Sequence, residues 1–317
     1  YSMARIMHLF MLLLTLASCA PESTRGDGFQ IPDIVYPKDN PSSDAKIELG
    51  RRLFFEKALS IDSSISCGSC HKPALSFADS VALSDGVMGR KPFRNTPSII
   101  NAGFLPYFMM EGGVKSLELQ VLAPLQDHNE MALHVFEACK RLNADSSYSR
   151  QFDLVWGDSA TPFTLTRSIA SFERELIIFN SAFDKYLEGD SLALSESARR
   201  GKDLFYSDRT DCSSCHTGRL LTNFEIKNNG LAKVYEDKGL FRLTTKDEDA
   251  GKFKIPSLRN VKHTAPYMHD GSLTSLKAVL NHYNRGGMGH PNQDPLVRPL
   301  DLSENELEDL IAFLRSL

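Results

Sequence analysis

The residues of this 317-residue chain that could do chemistry fall into two copies of one pattern. Cys67-Gly68-Ser69-Cys70-His71 and Cys212-Ser213-Ser214-Cys215-His216 each set two thiols three residues apart, with an imidazole directly after the second. A CxxC pair serves a reversible dithiol, half of a zinc site, or covalent attachment of a c-type haem. In the last case the thiols add to the vinyl groups and the following histidine binds the iron from its proximal side. Zinc ribbons hold their two pairs about 15–20 residues apart, and Cys70 and Cys212 are far more separated. With nine histidines in the chain, one after each pair is not a chance outcome. The pattern therefore predicts two covalent haems, attached through Cys67, Cys70, Cys212 and Cys215, with His71 and His216 as proximal ligands. Cys139 shares a helical face with Met131 and Val135 and reads as a buried structural thiol.

Two similar domains must position these groups, because the surroundings of the motifs are also duplicated. Gly50-Arg51-Arg52-Leu53-Phe54-Phe55 precedes the first motif and Gly201-Lys202-Asp203-Leu204-Phe205-Tyr206 the second. Pro97, Ser98, Asn101, Met109, Gly112, Ser116 and Leu117 recur at the same offsets as Pro256, Ser257, Asn260, Met268, Gly271, Ser275 and Leu276. Local signals are helical: Leu165, Ile169, Phe172 and Leu176 form an apolar stripe. Ser303 with Glu306 makes a capping box ahead of Leu307, Leu310, Ile311 and Leu314. Between the helices lie long stretches rich in Gly, Pro, Asn and Asp, which a compact domain keeps only when something else organises them; a large flat cofactor does so. The expected fold is mainly α, with two cytochrome c-like haem domains related by internal duplication and joined by long irregular loops. Residues 44–190 form the first domain and 191–317 the second.

Composition narrows the function. With 42% hydrophobic and 24% charged residues and a formal net charge of −4, the chain has ample material for a core and no basic footprint for nucleic acid. Its one strongly apolar stretch, Ile6 to Leu16, is too short to span a bilayer and suits a secretory signal. It ends in Leu16-Ala17-Ser18-Cys19, which looks like a lipobox. Residues 1–18 are thus expected to be a cleaved signal, with Cys19 lipidated as the only membrane anchor and the protein periplasmic. An ordinary cleaved signal with an incidental Cys19 is the alternative. Residues 19–43, rich in Pro, Ser, Gly and Asp, read as a flexible tether.

From about residue 44 onward the chain resembles the bacterial di-haem cytochrome c peroxidases and the related MauG-type di-haem oxidases. The resemblance rests on Leu53-Phe54-Phe55, both CxxCH motifs, Arg94-Asn95-Thr96-Pro97-Ser98, Ser116-Leu117-Glu118-Leu119-Gln120 and Asn129-Glu130-Met131. It continues through Ile255-Pro256-Ser257-Leu258-Arg259-Asn260 and Thr264-Ala265-Pro266-Tyr267-Met268-His269-Asp270-Gly271. It implies a peroxidatic first haem and a second haem that stores and delivers electrons. It also implies a catalytic pair in which Glu130 takes a proton from one peroxide oxygen and returns it to the departing one, while Gln120 orients the peroxide. From spacing alone Glu130 reads as a solvated charge at the start of a helix, and neighbouring His128 is a weaker candidate for the same task. The resemblance further implies one calcium ion between the domains, held by the Asn95 side chain and the carbonyls of Thr264 and Pro266. Without it Asn95 would be a turn residue.

The chain departs from the family pattern in three places. Met110 stands before Glu111-Gly112 where many members carry an inter-haem tryptophan, and the only tryptophan, Trp156, reads as core. No histidine lies between His71 and His128 to block the first iron, so that haem is expected to be open without reductive activation; Met88 occupies the corresponding loop. The distal ligand of the second haem aligns with Tyr283 in His282-Tyr283-Asn284-Arg285-Gly286-Gly287, with Met288 as the alternative. His263, His269 and His290 read as structural or exposed imidazoles, and His269 is expected to support the second haem or its propionates. The expected function is an exported peroxidase that reduces hydrogen peroxide with electrons from a small cytochrome c or cupredoxin. A MauG-type oxidase of a partner protein and a non-catalytic electron carrier are the alternatives. The family's frequent dimers leave a homodimer open.

Overall fold

The computed structural model describes residues 29–317; the expected signal and Cys19 lie outside them. In the first half the α-helices are α1 (Asp44–Phe54), α2 (Cys67–Cys70), α3 (Leu117–Gln120), α4 (Leu122–Gln126), α5 (Val135–Ala144), α6 (Ser146–Trp156), α7 (Pro162–Arg174) and α8 (Ala182–Leu187). The second half holds α9 (Glu196–Phe205), α10 (Cys212–Cys215), α11 (Phe241–Thr244), α12 (Leu276–Asn284) and α13 (Glu304–Leu314). The sheet is one antiparallel pair, β1 (Ile226–Lys227) with β2 (Phe253–Lys254), in which Ile226 faces Lys254. Among the described residues no helix is long and apolar enough to cross a membrane.

Each half is built on one crossing of two helices, and the sequence fixes both. The Ser43 hydroxyl caps α1 by accepting the Lys46 N–H, and α1 buries Leu49, Leu53 and Phe54. Thr161 and Thr164 form a capping box on α7, with Pro162 in its first turn. Their counterparts α9 and α13 are capped by Ser195 and by the Ser303–Glu306 box. A glycine lets each pair close: a methyl group on Gly50 would overlap the Ser168 carbonyl, and one on Gly201 the Asp309 carbonyl. Around α1 and α7 packs one apolar core, containing Leu142, Phe152, Leu165 and Ile169; around α9 and α13 packs another, containing Phe183, Leu221, Leu307 and Phe313.

The duplication reaches the backbone. Asn101 and Asn260 take φ of 61° and 58°, Met109 and Met268 65° and 75°, and Gly112 and Gly271 72° and 68°. Left-handed conformations at non-glycine residues are costly, so their repetition marks one shared loop design. Phe108 bridges Val114 as Tyr267 bridges Leu273. Trp156, expected in the core, packs at its edge with Nε1 donating to the Ser168 hydroxyl at 3.0 Å. Cys139 is buried, as read, and burial pushes its thiol up to about 11.

Residues 29–43, expected to be part of a tether, are mostly exposed but anchored at a few points. Phe29 packs edge-on against Phe183 and Tyr206 in the second half, with ring centroids 6.3 and 6.0 Å away. The Tyr36 hydroxyl donates to Glu175 at 2.7 Å, Asp39 pairs with Arg167, and Asn40 is fully buried. Asn40 donates to Glu118 at 3.0 Å and to the Arg167 carbonyl at 3.1 Å, and accepts from Ser171. A Pro- and Ser-rich composition conceals this because a few specific side chains supply the contacts. Replacing Gly201 with Ala is expected to destabilise the holoprotein by roughly 2–4 kcal/mol through overpacking against backbone, read as a lower urea midpoint at unchanged m-value.

Candidate functional site

Each CxxCH forms one helical turn that presents its two thiols and its imidazole together. In α2, Ser66 and Ser69 cap each other, with the Ser66 N–H donating to the Ser69 hydroxyl at 2.9 Å, and the His71 N–H closes the turn on the Cys67 carbonyl at 2.9 Å. In α10 the His216 N–H bonds the Cys212 carbonyl at 3.0 Å. All four motif cysteines are half-buried and outside any disulfide.

The imidazoles are held for metal binding in the same way in both halves. His71 Nδ1 lies 2.9 Å from the Phe77 carbonyl, and His216 Nδ1 lies 3.1 Å from the Leu221 carbonyl. Burial keeps both rings neutral, holding His71 below the usual range and His216 at about 4. A carbonyl only accepts, so Nδ1 carries the proton and Nε2 offers its lone pair. The accepting turns are braced in turn: Ser98 Oγ donates to the Ser76 carbonyl and Ser257 Oγ to the Leu220 carbonyl, each at 2.6 Å. In the second half Arg259 adds to the brace through Nε to the Arg219 carbonyl at 2.7 Å and Nη1 to Asp184 at 2.6 Å. Phe54, Phe55, Phe77 and Phe172 pack on one another at 5.2–6.4 Å beside His71. Paired thiols one turn apart and a tautomer-locked imidazole fit a c-type haem at both places, with an aromatic wall beside the first.

On the first site burial raises the Cys67 and Cys70 thiols, Glu173 raises Cys67 and Asp79 raises Cys70 further, and Glu130 adds a smaller effect on both. Burial, and then Asp127, push the Glu130 carboxyl up to about 7. The turn that carries it is pinned from behind. The Val87 N–H donates to the Glu130 carbonyl at 2.9 Å, Arg90 donates to the His128 carbonyl at 2.9 Å, and a side chain on Gly86 would overlap the Asn129 carbonyl. His128 itself is exposed. Gln120 ends α3, a helix locked to α7 by the buried Arg174–Glu118 pair at 2.8 Å. Against the cost of burial, the Asn40 amide and the Arg174 guanidinium hold the Glu118 carboxyl below its usual range. Met88 is 63% exposed, its sulfur accepting from Arg90.

The second site has a different partner. Tyr283 lies on α12, and burial pushes its phenol up to about 12. Met288 is 40% exposed. His263 is exposed, His290 Nδ1 accepts from the Asn292 N–H at 3.0 Å, and His269 stacks on Phe253 with centroids 4.0 Å apart.

The halves meet around these groups. The Asn95 N–H donates to the His269 carbonyl at 2.8 Å, which sets Asn95 against the segment carrying Thr264 and Pro266, while its Nδ2 donates to the Val81 and Ala82 carbonyls at 3.1 Å. Arg94 reaches Asp237 at 2.6 Å and also pairs with Glu111. The Met110 carbonyl accepts the Lys254 N–H at 2.6 Å. Among the described residues no group of three His, Cys, Asp or Glu side chains could hold a metal; the amide and carbonyl oxygens expected for calcium are of another kind. Sequence reading missed Asn40, the Glu118–Arg174 pair, the Gly86–Arg90 brace, Asn229 and His282. Only Gly86 carried a signal, as a glycine in a loop.

Comparison with known proteins agrees with this geometry. Residues 44–192 match the family described as di-haem cytochrome c peroxidase, and residues 198–317 match cytochrome c. The chain is 36% identical to the cytochrome-c peroxidase IdrP1 of Pseudomonas sp. (strain SCT), across 90% of this chain and 84% of that protein. It is 36% identical to the methylamine utilization protein MauG of Methylorubrum extorquens, across 91% and 83%. A solved MauG-like protein associated with microbial copper homeostasis superposes with a TM-score of 0.85 at 34% identity, covering 90% of this chain and 93% of that one. The di-haem peroxidase BthA of Burkholderia thailandensis shares the fold at a TM-score of 0.77 and 21% identity, with 89% of each chain covered. The chain belongs to the di-haem cytochrome c peroxidase and MauG family of haem enzymes, with two c-type haem domains in one mainly helical polypeptide.

Proposed function

We propose that this protein is a periplasmic peroxidase that reduces hydrogen peroxide to two waters, taking two electrons singly from a small cytochrome c or copper protein and two protons from solvent. One observation carries the reading: the part-buried Glu130 sits on a turn pinned by the Val87 N–H and by the close approach of Gly86, and burial pushes its carboxyl up to about 7. The haem held by Cys67, Cys70 and His71 supplies the redox-active iron, and the one held by Cys212, Cys215 and His216 supplies the route for electrons. Glu130 takes a proton from one peroxide oxygen and returns it to the leaving oxygen, which requires a carboxyl that changes state near working pH. Gln120 donates its amide N–H to the substrate oxygen. The first haem works without prior reduction, because no histidine precedes Asn95 in its loop and Met88 points to solvent. Buried Tyr283, rather than the more exposed Met288, would be the residue to hold the second haem on that side. A calcium ion on Asn95, Thr264 and Pro266 fixes the halves relative to each other, and lipidated Cys19 tethers the domain to a membrane.

Tyr283 also favours a second reading, a MauG-type oxidase acting on residues of a partner protein. Met110 counts against it, since a thioether replaces an oxidisable indole between the halves.

Peroxide-dependent oxidation of a reduced small cytochrome c, followed optically, tests the first reading. Glu130→Gln is expected to lower turnover by roughly 10²–10⁴; full turnover in that variant removes Glu130 from the mechanism. As a base Glu130 must be ionised, so wild-type turnover rises with pH through about 7, and that limb disappears in Glu130→Gln. Chelating calcium is expected to slow donor oxidation, with recovery on calcium addition; an unchanged rate argues against an ion at Asn95.

A further inference from the structure

The second half braces its proximal histidine with buried charge where the first half has apolar side chains. Ser98 and Ser257 each donate to the carbonyl just before the histidine's acceptor, Ser76 in one half and Leu220 in the other. By that register Arg219 stands where the first half has Leu75, and Arg259, two residues after Ser257, where it has Ile100. Neither arginine takes part in haem attachment or in the proposed peroxide chemistry, yet both are buried. Burying two guanidinium groups is costly unless acidic partners meet them. The partner here is Asp184 on α8, itself 1% exposed.

The contacts run from Asp184 to the turn that orients His216. Asp184 Oδ2 accepts from the Ser181 N–H at 2.9 Å, the Ser181 hydroxyl at 2.7 Å and Arg259 Nη1 at 2.6 Å. Arg219 Nε lies 2.9 Å from Asp184 Oδ1, an ion pair without hydrogen-bond alignment. Arg219 Nη2 donates to Glu188 at 3.0 Å. Arg259 Nε in turn donates to the Arg219 carbonyl at 2.7 Å, two residues before the Leu221 carbonyl that accepts from His216 Nδ1. Both guanidinium groups also lie beside the Phe179 ring, 5.9 Å from its centroid for Arg219 and 5.1 Å for Arg259. The turn is thus clamped through both the side chain and the backbone of Arg219.

We infer that Asp184, acting through Arg259 and Arg219, is a positioning residue for His216, and that this charged clamp holds down the reduction potential of the second haem. This rests on the reading of His216 as proximal ligand. A proton held firmly between Nδ1 and a carbonyl makes Nε2 a stronger donor, which favours ferric iron and a lower potential. A turn released from Asp184 holds that proton less firmly, and the potential rises. Loss of the Asp184 charge acts in the same direction, because a nearby negative charge favours the more positive ferric centre.

The test uses the holoprotein with both haems attached and follows the second haem's reduction potential by spectroelectrochemistry, with the first haem's potential as internal control. Asp184→Asn is expected to raise the second potential and leave the first in place. Arg259→Lys keeps the charge but loses the fork that reaches both Asp184 and the Arg219 carbonyl, and is expected to give a smaller rise. Glu188→Gln, an exposed change, is expected to give the smallest rise and carries the test if neither buried variant folds. His216→Gly is expected to abolish the native spectrum of the second haem; an unchanged spectrum overturns the ligand reading and this inference with it. A changed spectrum in His216→Gly with a wild-type second potential in Asp184→Asn and Arg259→Lys, or in Glu188→Gln where it stands alone, overturns the role of Asp184 alone, even if urea midpoints fall. A shift shared equally by the first haem overturns it too. The readout is independent of peroxide turnover, so a protein inactive as a peroxidase still answers it.

Discussion

One hydrogen bond, made once in each half, governs the rest of the molecule. The imidazole after each CxxC gives its Nδ1 proton to a carbonyl on the loop that follows, at 2.9 Å for His71 and 3.1 Å for His216. This bond fixes the tautomer and the ring plane, and so fixes which atom can meet an iron. Every larger feature serves that bond. The crossing of α1 with α7 and of α9 with α13 sets the floor under the motif, and serines 98 and 257 brace the accepting turns.

Function then depends on how the two copies differ on the opposite side. The first half offers Glu130 on a turn pinned from the 86–90 loop, and burial leaves its carboxyl near neutrality. The second half offers Tyr283, whose phenol burial pushes up to about 12. Burial is the first cause of the state of both groups, because a charge taken out of water is costly. The docked 29–43 segment adds a third constraint, joining the aromatic core of the second half to the Glu118–Arg174 pair of the first.

What was legible in the sequence was whatever is local. The two CxxCH turns, the Ser303–Glu306 capping box of α13 and the duplicated loop residues announce themselves within a few positions. The roles of Glu130 and Gln120 come from the family resemblance. Long-range pairings left no trace: Asn40 meets Glu118 across 78 residues, and His282 meets Asn229 across 53. Neither spacing nor periodicity reports a contact of that kind. The same limit explains why 29–43 read as a tether, since its composition is that of a loop while its binding rests on a few side chains, Phe29, Tyr36, Asp39 and Asn40.

The central claim is an asymmetry between iron centres, one with a coordination position open beside Glu130 and one capped by Tyr283. Low-temperature electron paramagnetic resonance of the fully oxidised holoprotein tests it most directly. The account predicts one high-spin and one low-spin ferric signal in equal amounts, with added azide shifting only the high-spin species. Two low-spin signals that azide leaves untouched would contradict it.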